Sequence, residues 1–426
     1  MKPFPWLSAC VIVGSLALGP VRAQPAASLP GPEHASPRMA GPSADGVSLR
    51  AALDAAWQRA VAARESDGQR RRADADLAAT GAFWAAPPSL ELSHRDDRLQ
   101  RSAGRRETEI GVAVPLWLPG QRAARSGTAE VAVAQALAAE KAARLRLAGE
   151  LRETAWQVVA LDAEVTQADI QATALQQLAD DVERRVRAGD LARADALAAQ
   201  ADRLAAFALQ SDGRQRLYAA RARWTLLTGL AAAPEPTAET IAEGVSAATT
   251  EAHPDLQLAR QSSVLARKRA ELMRVSRRDA PELTVGVRQD VPGRAEASQG
   301  SLVVGLRLPF GTDDRNRPLE AAALAELDVA ETLELRLRER LDSEIAAARE
   351  ARRSAEAQLD AETARAGLLR ERASLIDKSF RVGETPLPDL LRALAATAQA
   401  DSAVARQTAA LGLARARLQQ AFGVLP

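Results

Sequence analysis

Val186-Arg187-Ala188-Gly189 is answered by Phe380-Arg381-Val382-Gly383, and the distance between the two, 383 minus 189 or 194 residues, decides how the rest of the chain is read. Working outward, Asp195 pairs with Asp389, Leu147 with Leu341 and Leu151 with Ile345 at the same offset. Thr228-Gly229-Leu230 likewise pairs with Phe422-Gly423-Val424. One insertion between these markers would have broken the register. A period this long lies far beyond the roughly 20–50 residues of a solenoid unit, so the chain reads as a domain-sized unit written twice.

From residues 123–187, and again from 319–381, Ala, Leu, Arg, Glu and Gln dominate, the strong helix formers. Leu147, Leu151, Val158, Leu161 and Val165 are spaced by three, four or seven, and Leu175, Leu178 and Val182 resume the stripe, as a coiled-coil seam requires. Each stretch of roughly 65 residues makes a rod near ~100 Å long. Gly189 and Gly383 then turn the chain back into a returning helix, ending near Thr228 and near Ala421. The two glycines permit a tight, left-handed reversal.

Ahead of each rod lies an alternating segment. Leu90 and Leu92, then Ile110, Val112 and Val114, form one expected hairpin over residues 89–118. Leu283, Val285 and Val287, then Leu302, Val304, Leu306 and Leu308, form the other over 282–310. Their period is two. Proline closes both, in Val114-Pro115-Leu116-Trp117-Leu118-Pro119-Gly120 and in Leu308-Pro309-Phe310-Gly311, where the ladder loses a donor. Ser48 reads as the N-cap of a first helix with Leu49, Leu53, Ala56 and Trp57 on one face, expected to run on toward Gly81.

The domain organisation expected is a signal peptide over 1–23 and a Pro/Ala-rich arm over 24–46. A first repeat over 47–230, a connector over 231–253 and a second repeat over 254–426 follow. The signal reading rests on Lys2, an apolar run over 7–18 and Val21-Arg22-Ala23 before Gln24. That run is too short to span a bilayer needing about 20 residues. Leu7-Ser8-Ala9-Cys10 resembles a lipoprotein box, but its apolar region follows the cysteine, which disfavours lipidation.

Cys10 is the one cysteine, so a mature chain starting at Gln24 would have neither a disulfide nor a thiolate metal site. Lys and Arg total 56 against 55 for Asp and Glu, a balance that gives no electrostatic case for nucleic acid. No later run reaches 18 apolar residues, so any membrane insertion must use strands. His34, His94 and His253 lie far apart with no ligand spacing around them. His94 falls within the expected first strand, and with Arg95, Asp96, Asp97 and Arg98 following it is assigned to a polar outer loop rather than to a ligand set. No phosphate loop or nucleophile elbow is found, so no enzyme and no cofactor are expected.

Long helices alone would fit a dimeric scaffold. The hairpins need a further account, since strands of about 10 alternating residues match the wall of an outer-membrane barrel. Four strands cannot close one, whereas three chains supply twelve.

At this point the sequence resembles the TolC family of outer-membrane efflux ducts, more narrowly its CzcC-like heavy-metal branch. The resemblance covers about 47–425. It rests on the duplicated order of helix, hairpin, helix and helix, on Pro88-Ser89-Leu90-Glu91-Leu92, and on Val114 through Gln121-Arg122. In the second copy it rests on His253-Pro254-Asp255-Leu256 and on Leu308-Pro309-Phe310 with Asp314-Arg315-Asn316. It implies a mainly α chain with a small β part: a long antiparallel coiled-coil tunnel and four strands contributed to a trimeric, twelve-stranded barrel. It further implies a homotrimer in outer-membrane lipid, with a periplasmic adaptor and an inner-membrane pump of the proton-driven RND type as partners, conducting divalent heavy-metal cations. Organic solutes are the alternative cargo, and a non-transporting periplasmic scaffold is the alternative of another class.

Carried over residue by residue, the adaptor-binding tips are Arg187, Gly189, Asp190 and Leu191 with Arg381, Val382, Gly383, Glu384 and Thr385. Capping alone is the competing account of the two glycines. The pore constriction falls on Asp195 and Asp389, where the competing account is a favourable charge in a first helical turn. Arg392 stands where some relatives have a second acid. The barrel-to-helix junction comprises Pro115, Trp117, Gly120, Pro309, Phe310 and Asn316. Phe83, Trp84, Trp117 and Phe310 form either an aromatic belt or a plug of that junction.

Overall fold

A computed structural model of the chain describes residues 46–97, 99, 104–235, 250–293, 296–311 and 313–426. The chain divides into residues 1–43 and a unit over 44–426. The expected signal peptide, the arm up to residue 45, His34 and most of the connector lie outside the described residues.

Eleven elements are described: α1 Leu49–Arg59, α2 Val61–Thr80, β1 Ser89–Asp96, β2 Arg106–Pro115, α3 Gln121–Ala188, α4 Arg193–Thr228, α5 Pro254–Val275, β3 Glu282–Val291, β4 Gln299–Arg307, α6 Asp313–Arg381 and α7 Leu387–Ala421. The long helices α3 and α6 have 68 and 69 residues, about 100 Å each at ~1.5 Å per residue. Each folds back on its successor, α3 on α4 and α6 on α7, and the two pairs join through α3 and α7. Small residues at the seams, such as Ala148 and Ala155 of α3 and Ala414 of α7, are buried and let the axes approach closely.

Two expectations are corrected. The first helix does not run unbroken to Gly81: it stops at Ala60, whose backbone is extended at φ −66° and ψ 136°. The break re-aims the chain, so that α1 packs against both α3 and α4 while α2 continues along α3. At the other end, α6 starts at Asp313 rather than near 319, with Pro318 inside it. Pro318 is the sixth residue of α6 and has no N–H to donate to the Asp314 carbonyl, so the helix is one bond short in its second turn.

The four strands form one antiparallel sheet in the order β1-β2-β3-β4. Thus β2 pairs with β3 across the two halves, Ile110 opposite Val287 and Val112 opposite Val285. His94 lies in β1, the expected strand, and Arg95 and Asp96 belong to that strand too rather than to an outer loop; His94 Nδ1 is 2.9 Å from Thr108 Oγ1. The register puts Leu90, Val112, Val285 and Val304 in one row and Leu92, Ile110, Val287 and Leu302 in the next, on one face of the sheet. Nothing in the described chain covers that face: Leu90, Leu92 and Leu302 are 72, 70 and 71 % exposed.

Candidate functional site

The chain presents three linked features: the paired helical tips, the sheet, and the junction between sheet and helices. Both tips are built alike. Gly189 and Gly383 sit at φ 88° and 87°, the left-handed region that costs an ordinary residue about 1–2 kcal/mol. At the first, Gly189 N–H donates to Val186 O (3.1 Å) and Asp190 N–H to Arg185 O (2.9 Å). At the second, Gly383 donates to Phe380 O (3.1 Å) and Glu384 to Ser379 O (3.0 Å). This two-bond pattern satisfies carbonyls that a helix end leaves bare. No atom lies within 4 Å of a Cβ built at either glycine, so backbone conformation, not space, demands the residue.

One apolar cluster holds the tips side by side, uniting Leu175 and Val182 of α3 with Phe380 of α6 and Leu387, Leu390 and Leu391 of α7. The Arg185 guanidinium lies over the Phe380 ring at 5.1 Å. The ends themselves are bare: Arg187, Gly189, Asp190, Arg381, Val382, Gly383 and Glu384 are exposed, whereas Leu191 tucks partly against the cluster. Thr385 Oγ1 donates to Ser379 Oγ at 2.6 Å.

The two carboxylates past the tips are already engaged. Asp195 accepts from Ala192 N–H at 3.2 Å, and Asp389 Oδ1 lies 2.6 Å from Arg392 NH2. Both acids thus occupy the first turn of a helix, where negative charge is favoured. Arg392 offsets the charge of Asp389 within the chain.

At the junction, Ala85 N–H donates to Pro115 O (3.1 Å) and Leu116 N–H to Pro281 O (2.7 Å). Trp117 Nε1–H donates to Phe83 O (3.1 Å), Arg125 stacks over Trp117 at 5.7 Å, and the Phe83 and Trp84 rings meet edge to face at 4.4 Å. Gly120 turns the chain into α3 at φ 78°, and Asn316 Nδ2 donates to Arg277 O. The two halves differ here: Trp117 is hydrogen-bonded and partly covered, whereas Phe310, next to Pro309, is 92 % exposed.

Sequence patterns missed Arg152, which is 1 % exposed. It donates to Gln420 Oε1 (2.6 Å) and Val424 O (3.0 Å), pinning the end of the chain to α3. They also missed the role of His253. Its buried ring accepts from Asp255 N–H at 3.2 Å, capping α5. Burial holds its pKa below the usual value, against the opposing pull of Asp255 and Glu344. Among the described residues no group of three or more His, Cys, Asp or Glu side chains is arranged to hold a metal. No described helix is long and apolar enough to cross a membrane.

No family model and no curated protein sequence matches the chain. Solved structures do. The chain is similar to the outer membrane protein VceC from Vibrio cholerae (15 % identity, TM-score 0.72, covering 88 % of this chain and 96 % of that one). It is similar to CusC, studied for folding and transmembrane channel formation (16 %, 0.76, 91 % and 96 %). It is also similar to the Campylobacter jejuni CmeC outer membrane channel (13 %, 0.70, 88 % and 85 %). The mainly helical chain with its four-stranded sheet therefore has the fold of these outer-membrane channels.

Proposed function

We propose that the chain is one copy of a homotrimeric exit duct in the outer membrane, passively conducting what an inner-membrane pump and a periplasmic adaptor deliver. The observation that carries this reading is the sheet. Its strands of 8 to 10 residues approach the length that crosses an outer-membrane wall, and its whole apolar face is bare. A face of that kind in water invites aggregation; in lipid it is the required surface. Both outer strands, β1 and β4, pair on one side only, and open edges are not tolerated in hydrocarbon. Three copies give twelve strands and close the ring, while the helices continue it as a periplasmic tunnel.

The exposed tips are the surface on which the adaptor would act, and Asp195 and Asp389 would face the narrow end of the lumen. The pump, of the RND type, supplies the drive. Divalent heavy-metal cations are the proposed cargo, on the CzcC-like motifs; the duct needs no bound metal of its own. Fractionation tests the architecture: the protein should be extracted by detergent from outer membranes as a trimer by native mass spectrometry. A monodisperse soluble monomer or dimer without detergent would return the chain to a scaffold role. Sensitivity of a deletion strain to zinc, cobalt and cadmium, compared with dyes and detergents, separates the cargo classes.

A further inference from the structure

The two halves pack as copies of one another. Leu161, Val165, Leu217 and Ala220 meet at one apolar cluster, and the residues 194 further on, Ala355, Leu359, Leu411 and Ala414, meet at another. The strands obey the same rule. Ser89 pairs with Ala113 and Glu282 with Arg307, so β1 maps to β3 by 282 minus 89, or 193, and β2 to β4 by 307 minus 113, or 194. Pro88 with Pro281, and Pro115 with Pro309, fix these offsets independently.

The join between halves, however, is made only once. β2 pairs with β3, and α3 packs on α7. Their repeats, β4 with β1 and α6 with α4, are left without that join inside the chain.

We infer that a second copy of this chain docks by repeating the join, in the register that these offsets dictate. The inference rests on the duct reading, which requires several copies. Carrying the β2–β3 pairing forward places β4 beside β1 of the next copy with Leu306 opposite Leu92, Val304 opposite His94 and Arg307 opposite Glu91. At the corresponding place within the chain stand Ala113 and Thr284, so the charge pair belongs to the seam between copies alone. Opposite charges directly across a ladder stabilise it. The apolar row that ends at Leu302 then arrives opposite Asp96 of the next copy, four residues from where it began at Leu92. Closing a barrel requires such a stagger.

The helices agree. Leu197, 59 % exposed, and Leu204, 57 % exposed, stand 194 residues before Leu391 and Ala398, which line the groove that α7 makes with α3 and α4. Tyr218, 77 % exposed, stands 194 before Gly412, the notch that receives Trp156. The residue 194 after Trp156 is Glu350. A large side chain against none within the chain thus becomes a smaller one against a larger one between copies, which conserves volume across the seam.

The test uses the full-length protein in outer membranes, carrying Leu92→Cys together with Leu306→Cys. Directly opposed strand residues lie within disulfide reach, whereas a diagonal pair two residues away exceeds it. Mild oxidation should convert most of the protein to a covalent trimer on non-reducing gels, while Leu92→Cys with Val304→Cys should leave it monomeric. Glu91→Arg should lower the temperature at which trimers dissociate on gels, and adding Arg307→Glu should recover part of the loss, Arg307 also lying 3.8 Å from Glu282 of its own chain. A native trimer that cross-links only through the second pair, or whose charge reversal is not rescued, overturns the register while leaving the duct standing. Absence of any oligomer by native mass overturns the duct reading and the register together.

Discussion

The Trp156 ring in α3 fills the space above Gly412 in α7: a Cβ built on Gly412 would lie 2.1 Å from the ring carbon Cη2. Arg417 and Glu153 clamp the same pair of helices nearby, Nε to Oε1 at 2.6 Å and NH2 to Oε2 at 2.9 Å. The half-to-half seam is therefore set by shape, with an ion pair beside it. Glycine inside a helix costs about 1 kcal/mol relative to alanine, so at this position the absent side chain outweighs propensity.

Gly412→Ala should accordingly destabilise the protein, by about 1–3 kcal/mol as overpacking does, although alanine is the better helix former. The readout is the thermal midpoint of detergent-extracted protein. Trp156→Leu in the same chain should recover part of the loss, because the two substitutions share one contact. A stabilised Gly412→Ala variant would show that the helices are free to separate there.

Gly383→Asn and Gly383→Val should separate backbone strain from bulk at the tip. Asparagine tolerates the left-handed region and valine does not. With open space around the Cβ position, strain is the only folding cost, about 1–2 kcal/mol for valine. Both variants should still assemble in the outer membrane. Loss of efflux in both would place a partner against the tip, whereas loss with valine alone would indicate a conformational requirement only.

His253 gives stability a pH dependence whose sign is fixed by its surroundings. The ring is buried at 3 % exposure, and its folded pKa is lowered from 6.5 chiefly by burial, against the raising influence of Asp255, Glu344 and a backbone bond to Gln420. The unfolded chain therefore takes up a proton first as pH falls. This contribution is fully present above about 6.5, declines as pH drops below it, and levels off once the folded ring is itself protonated. Protonation also removes the acceptor that caps α5. His253→Asn keeps a capping side chain without a titrating ring, so its thermal midpoint should vary less between pH 7.5 and 5 than that of the wild type. Identical slopes would remove His253 from the account.

Much of this architecture was legible because it depends on local rules. Gly189 and Gly383 announce left-handed turns, the alternation around Leu90 and Ile110 announces strands, and the offset between halves follows from simple counting. What was not legible depends on neighbours distant in sequence. Ala60 interrupts a helix although neither Pro nor Gly stands there; the reason is where α1 and α2 must pack. Arg152 looks like one more solvated charge, yet α7 and the chain end bury it. The pairing of β2 with β3 likewise joins residues distant in sequence, such as Ile110 with Val287, 287 minus 110 or 177 positions apart.

Arg152→Met tests the clamp at the chain end. The substitution keeps length and loses the donors, so Gln420 Oε1 and the Val424 carbonyl forfeit their bonds to it. A fully buried acceptor left unpaired costs about 1–3 kcal/mol, and Gln420 and Val424 are half-buried, so the loss should lie at or below the lower end of that range. Limited proteolysis should then remove the last residues faster than in the wild type, while trimers persist. Unchanged proteolysis would mean that the apolar contacts of Phe422 with Ile345 and Leu418 suffice to hold the terminus.

In the proposed duct, Asp389 and Arg392 would stand at the narrow end of the lumen, and their ion pair would set what it offers a passing ion. At 2.6 Å the two charges cancel locally, so a ring of three such pairs carries little net field. Arg392→Ala uncovers one carboxylate per chain and should raise the cation-to-anion permeability ratio in planar bilayers. Asp389→Asn leaves the guanidinium and should lower it, and the double variant should return near the wild type. The shifts should be largest at low salt, because screening at molar salt shortens the reach of exposed charges to about 3 Å. If reversal potentials move in neither single variant, the pair lies off the conduction path and Asp389 serves only the start of α7.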